Sequence, residues 1–141
     1  MSGEVVHFLD TNVLLYAVSA SPREAAKARV AREWVARDDW GASVQVLQEF
    51  YVNAVHAPST LSHEDASALV AELAGARPMA TTDTALVRQA LHLKGRYGIS
   101  YWDAAIVAAA HRLGASLLVS EDLSDGQDYA GVRVLNPFKG T

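Results

Sequence analysis

SYWDAAIVAAAHRLGASLLVSED, running from Ser100 to Asp122, carries the fold class in one stretch. Ser100 with Asp103 three residues on is a capping pair, and the apolar run behind it predicts a helix from Tyr101 to Leu113 that Gly114 ends. Ser116 to Ser120 then reads as a short buried strand with a polar exit at Glu121-Asp122. A helix feeding a buried strand is the repeating step of a parallel sheet. Val5 to Leu9 is a second apolar run of this kind, and it leaves through Asp10-Thr11-Asn12.

The chain between these strands is read outward from them. Val13 to Val18 suits a short helix, and Ser21-Pro22-Arg23-Glu24 supplies an N-cap, a proline and a capping glutamate for a helix from Pro22 to about Arg37. Asp38-Asp39-Trp40-Gly41 breaks it, and Ser43 caps a further helix with Val44, Leu47, Tyr51 and Ala54 along one face. Ala57-Pro58-Ser59-Thr60 reads as a loop, after which Ser62 and Asp65 open a helix over Ala66 to Leu73. Pro78 to Ala80 suits a brief strand, and Thr82 caps a helix through Leu86, Ala90 and Leu93 that stops near Gly95. Val132 to Leu135 reads as a final strand. No repeat or linker divides the chain, so one domain over residues 1–141 is expected, an α/β fold with a mainly parallel sheet covered on both faces.

Half of the 141 residues are hydrophobic and a fifth are charged, which excludes a disordered or fibrous chain. The absence of cysteine removes disulfides, zinc–thiolate sites and thiol catalysis, so any metal must sit on oxygen or imidazole. The longest apolar stretch, Ala104 to Ala110, is far short of the roughly 20 residues of a membrane-spanning helix. Glu4 stands where a secretory signal would carry Lys or Arg, so a cytoplasmic protein without membrane contact is expected. A formal net charge of −4 argues against a broad basic face that coats nucleic acid. It leaves a nuclease open, because such an enzyme needs acids to hold cations and only a local basic rim for phosphate.

Each acid of interest has an ordinary reading. Asp10 suits a turn or N-cap, and Glu49, in step with Gln45 and Asn53, suits the wet face of a helix. Asp103 suits the capping pair with Ser100, and Asp122 shares its loop with Asp125 and Asp128. Two features favour a shared site. Asp10 and Asp122 each follow a buried strand, and ligands of open α/β sheets sit beyond the carboxyl ends of the strands. Asp103 stands among Tyr101, Trp102, Ala104, Ala105 and Ile106, a setting that a paired or metal-bound carboxylate explains better than a solvated one.

Leu9-Asp10-Thr11-Asn12, Gln48-Glu49-Phe50, Tyr101-Trp102-Asp103-Ala104-Ala105-Ile106 and Leu118-Val119-Ser120-Glu121-Asp122, in that order, resemble the motifs of the PIN-domain ribonucleases. The likeness runs from about Val5 to Phe138, and the chain length resembles that of the single-domain VapC-type toxins of bacterial toxin–antitoxin pairs. The resemblance implies a PIN-like three-layer α/β/α sandwich and a catalytic set of Asp10, Glu49, Asp103 and Asp122. It implies metal ligation by Asp10, Asp103 and Asp122, with the hydroxyls of Thr11 and Ser120 in support. Such oxygen ligands suit Mg²⁺ or Mn²⁺. The implied reaction is hydrolysis of RNA phosphodiesters to 5′-phosphate and 3′-hydroxyl ends. A small antitoxin partner and a homodimer also follow, the latter supported by apolar helix surface at Tyr51, Val52 and Val55. The loop after Asp122 departs from the commonest pattern, so either Asp122 or Asp125 completes the set at this stage. Arg23, Lys27, Arg88, His92, Lys94 and Arg96 are candidates for phosphate contact.

Competing chemistries fit less well. A phosphotransfer protein using Asp10 wants a second aspartate where Asn12 stands, or a lysine after a late strand, where the chain offers Lys139. A calcium loop over Glu121 to Asp128 would leave Leu123 at a ligand position and Val132 at the place of the bidentate glutamate. No Gly-x-Ser-x-Gly occurs, and His63-Glu64 lacks the second histidine of a zinc helix. A non-catalytic PIN-like interaction module would not need all four acids intact.

Overall fold

The computed structural model describes residues 5–56 and 61–141; the loop expected at 57–60 lies outside them. The described residues form a sheet of six strands: β1 (His7–Leu9), β2 (Trp40–Ser43), β3 (Met79–Ala80), β4 (Leu117–Val119), β5 (Asp128–Tyr129) and β6 (Val132–Leu135). Their spatial order is β3-β2-β1-β4-β6-β5, parallel throughout except for the antiparallel β5–β6 pair. In register, His7 faces Trp40 on one side and Leu117 on the other.

Helices α1 (Thr11–Ala17), α2 (Ala25–Val35), α3 (Val44–Ala54) and α4 (His63–Ala76) join β1, β2 and β3, while α5 (Thr84–Tyr97) and α6 (Tyr101–Arg112) carry the chain back from β3 to β4. With right-handed crossovers, a chain that steps one way through β1-β2-β3 and then returns places its two helix groups on opposite faces. Contacts agree, since α1 packs on α2 and α3, α3 on α4, and α5 on α6. The result is the expected three-layer α/β/α sandwich. Every residue from Ala104 to Ala110 is buried, so α6 is enclosed on all sides between α5 and the sheet. Its run of alanines lets it lie close to both.

Local chemistry explains the element ends. Ser43, Ser62 and Ser100 each accept a hydrogen bond from the backbone N–H three residues on, capping α3, α4 and α6 as expected. The cap of α5 is Asp83 rather than Thr82, and its carboxylate also pairs with Arg112 at 2.8 Å. Gly95 lies inside α5, which runs to Tyr97 and stops where Gly98 turns left-handed at φ 69°. Ser21 caps nothing; the Ser19 hydroxyl donates to Glu24 at 2.6 Å, and a 3₁₀ turn over Pro22–Glu24 precedes α2.

Several expectations need correction. Trp40-Gly41 belongs to a fully buried strand, Trp40–Ser43, and not to a helix break; Ser43 both ends this strand and caps α3. Gly41 makes the strand possible: a Cβ there would stand 2.8 Å from both the Pro78 carbonyl oxygen and Leu113 Cδ1. The inward face of α3 is Val46, Leu47, Phe50 and Ala54, while Val44 is exposed and Tyr51 half-buried. Of the expected apolar surface at Tyr51, Val52 and Val55, Val52 alone stands out as exposed; the Tyr51 hydroxyl meets His63 Nδ1 at 2.8 Å. The β5–β6 hairpin was not expected, because its two-residue turn is Ala130-Gly131, both at positive φ, instead of Asn-Gly.

Candidate functional site: an acid cluster at the sheet edge

The chain leaves β1 toward β2 on one side of the sheet and leaves β4 toward β6 on the other. The carboxyl ends of β1 and β4 therefore flank the point where the strand order reverses, where open α/β sheets form a crevice. Asp10 follows β1 directly, and its N–H donates to the Val119 carbonyl at 3.1 Å, locking it to the end of β4. Extended backbone at Asp10 then gives way to helix, so the residue ends a strand and caps α1 at once.

Asp10 is 5% exposed. Its Oδ1 accepts from the Thr11 N–H at 2.8 Å and its Oδ2 from the Ser120 hydroxyl at 2.7 Å. The Thr11 hydroxyl donates to Glu49 Oε1 at 2.7 Å, which ties α1 to α3. Asn12 Nδ2 donates to Asp122 Oδ2 at 3.1 Å and to the Ser120 hydroxyl at 3.3 Å, and the Asp122 N–H also reaches that hydroxyl at 3.1 Å. Asp10, Thr11, Glu49, Ser120 and Asp122 thus form one network. Asp103 enters on the first turn of α6, half-buried, its N–H held by Ser100 Oγ at 3.1 Å.

Electrostatics join Asp103 to the rest. Burial pushes the Asp10 carboxyl up to about 6, the Ser120 and Thr11 hydrogen bonds oppose this, and the charges of Asp122 and Glu49 add to it. Burial also raises the Asp103 carboxyl, opposed by Ser100 and reinforced by Asp122 and Glu49. Four acids from four elements therefore share one field. Asp125 is turned away: it accepts from the Asn136 N–H at 2.8 Å and pairs with Lys139 at 2.9 Å. The structure brings Asp122, not Asp125, to Asp10.

Among the described residues, no three histidine or acidic side chains stand close enough together to hold a metal ion as they are placed. A small hard cation does not require three, because Mg²⁺ keeps several waters and takes one or two carboxylates. Three observations fit such an ion. The donors are all carboxylate oxygens, Asp10 is buried against other negative charges, and Asn12 Oδ1 is buried beside them without a hydrogen-bond partner. That orphaned acceptor suits a water in a cation's hydration shell.

The expected phosphate contacts fare unevenly. Lys27 pairs with Glu121, next to Asp122, at 2.9 Å, and Tyr16 bonds the same carboxylate. Arg96 lies over the Tyr97 ring at 4.9 Å. Arg23, Arg88, His92 and Lys94 make no side-chain hydrogen bond or ion pair among the described residues, and nothing places them at the acids. Two residues visible in the sequence take parts that it did not assign to them. Asn12 bridges Ser120 and Asp122, and Gln45 Nε2 donates to Glu49 Oε2 at 3.3 Å. The i to i+4 spacing of Gln45 and Glu49 was visible, but it marked an ordinary polar face.

A family model described as the PIN domain matches residues 7–124. The chain belongs to the PIN-domain family. Nuclease activity, a hydrolase chemistry, is what this membership supports. No curated protein matches the sequence. Among solved structures, a toxin–antitoxin complex from Klebsiella pneumoniae aligns with TM-score 0.67 at 18% identity, covering 94% of this chain and 98% of the other. VapBC-1 from nontypeable Haemophilus influenzae aligns with TM-score 0.64 at 16% identity, over 96% and 100%. VapC20 from Mycobacterium tuberculosis, a toxin that cleaves the sarcin–ricin loop, aligns with TM-score 0.61 at 18% identity, over 79% and 86%. At these identities the likeness speaks for the PIN fold alone. No helix among the described residues is long and apolar enough to cross a membrane.

Proposed function

We propose that this PIN-domain protein is a divalent-metal-dependent ribonuclease, the toxin of a toxin–antitoxin pair in the cytoplasm. The observation that carries the catalytic reading is the buried Asp10 carboxylate, hydrogen-bonded to Ser120 and set among the charges of Asp122 and Glu49. Like charges concentrated at a sheet edge cost stability, and a bound cation would offset that cost. Asp10, Asp103 and Asp122 would hold Mg²⁺ or Mn²⁺, which when bound neutralises phosphate charge and supplies activated water.

The remaining roles belong to the protein. Ser120 orients Asp10, and Asn12 orients Asp122, so that two strand ends present fixed oxygens. Glu49, held by Thr11 and Gln45, stands as the outer acid that orients the attacking water. The scissile RNA phosphate lies over the carboxyl ends of β1 and β4, with attack by water and not by the 2′-hydroxyl, leaving 5′-phosphate and 3′-hydroxyl ends. Similarity in fold to VapBC-1 and to the Klebsiella pneumoniae complex supports a small antitoxin partner. A homodimer rests on the resemblance of the motifs, with Val52 exposed on α3.

Incubating the purified chain with total RNA, with and without Mg²⁺ or Mn²⁺, and mapping the cut ends tests this reading. Cleavage that EDTA stops is expected. Cleavage that persists in EDTA, or 2′,3′-cyclic phosphate ends, would overturn the mechanism.

A further inference from the structure

Beside the acids lies a cavity of about 340 Å³ whose wall includes Gln45, Gln48, Thr81, Thr82, Tyr101 and Trp102. It is continuous with the acid cluster in two ways. Trp102 directly precedes Asp103, and Gln45 Nε2 reaches both Glu49 Oε2 at 3.3 Å and the Trp102 carbonyl at 3.4 Å.

Trp102 is 64% exposed, the most exposed of the large hydrophobic side chains among the described residues. The fold does not need it there, because the buried face of α6 begins at Ala104. Tyr101 meets the indole edge to face, centroids 5.1 Å apart at 77°, which props the ring without covering it fully. The polar wall is equally unengaged: Gln48, Thr81 and Thr82 are exposed, and their side chains make no hydrogen bond among the described residues. An open π face next to free donors and acceptors matches the two surfaces of an unpaired nucleobase. Bases in a duplex offer neither their faces nor their pairing edges.

Resting on the ribonuclease reading above, we propose that Trp102, with Gln48, Thr81 and Thr82, forms a subsite for one unpaired base of RNA beside the scissile phosphate. Trp102 stacks on the base, and the amide and hydroxyls read its edge.

A titration in EDTA of the full chain with a short unstructured oligoribonucleotide, followed by tryptophan fluorescence, tests binding apart from turnover. The parent is expected to show quenching that Trp102→Phe removes. Base stacking is worth about 1 to 3 kcal/mol by alanine substitution, so Trp102→Ala should weaken binding by about 5- to 150-fold. With Mg²⁺, Trp102→Ala should raise KM by a similar factor with little change in kcat, Trp102→Phe should restore most of it, and Gln48→Ala should alter the preferred base at the cut. Unchanged binding and KM in Trp102→Ala would overturn the subsite while leaving a cleaving parent's nuclease reading intact. Quenching without any cleavage would do the opposite. If Trp102→Ala dissociates a dimer by light scattering and leaves RNA affinity unaltered, the indole faces a second copy and the proposal falls.

Discussion

Replacing Asp10 by asparagine should make the metal-free protein more stable at neutral pH and less stable in acid. Asp10 is buried, and its carboxyl is pushed up to about 6 from an ordinary 3.8. Between those values the native state holds a proton that the unfolded chain has released, so stability falls as pH rises through the window. Below about pH 4 the penalty is absent; above pH 6 it is complete. At about 1.4 kcal/mol per pH unit the ionised side chain costs the fold roughly 3 kcal/mol at pH 7.5. Asparagine removes that cost.

The exchange carries a cost of its own. The introduced side chain keeps an acceptor for the Thr11 N–H, but its amide would replace an acceptor for the Ser120 hydroxyl with a donor. That hydroxyl already accepts from Asn12 and from the Asp122 N–H, so about 1 kcal/mol is lost at every pH. The net gain is roughly 2 kcal/mol at pH 7.5, against a net loss of about 1 kcal/mol at pH 4. For a chain of this size each kcal/mol moves Tm by about 3 °C. Melting curves in EDTA at the two pH values should therefore cross, with the variant higher at 7.5 and lower at 4. Asp103 shifts in the same direction but is present in both proteins, so the difference isolates Asp10. A variant less stable than the parent at both pH values would show that Asp10 is a structural cap and not a member of a charged cluster.

Added Mg²⁺ should raise the parent's Tm more than that of Asp10→Asn, because only the parent keeps the full charge that binds it; equal shifts in a thermal scan would count against ligation by Asp10. Asp103→Asn should lower RNA cleavage by at least about 100-fold while leaving the fold intact by circular dichroism, since Asp103 is only half-buried. Asp122→Asn should cost far more activity than Asp125→Asn in a gel-based cleavage assay, because Asp125 serves Asn136 and Lys139; the reverse order would move the site into the loop. Gly41→Ala should destabilise by about 1 to 3 kcal/mol in urea titration, since its Cβ would press on the Pro78 carbonyl and on Leu113 at 2.8 Å.

What the sequence disclosed divides along a physical line. The placement of Asp10 and Asp103 was legible from local rules, one following a short buried strand and the other on the first turn of a capped helix, whereas their grouping into one set came from the motif resemblance and Asp122 was not separable from Asp125. Strand β2 was illegible because Trp40-Gly41 looks like a helix stop in any short window. Only the approach of the Pro78 carbonyl, from a distant part of the chain, turns that glycine into the residue a buried strand requires. The hairpin of β5 and β6 hid for a related reason, as Ala130 is held left-handed by pairing on both sides and not by its own preference.

The partners of the acids were hidden for the same cause at longer range. Thr11 meets Glu49, and Asn12 meets Asp122, only because β1 lies between β2 and β4 in the sheet. That adjacency follows from the crossover that carries α5 and α6 back over the opposite face, a property of the whole chain. The path of this crossover also sets Trp102 and Asp103 at the same rim as Asp10, since α6, its last helix, starts there and ends just before β4. The reversal that makes the crevice therefore also delivers its third acid and its exposed indole. Without the β3-to-β4 return there would be neither the acid cluster nor the cavity wall beside it.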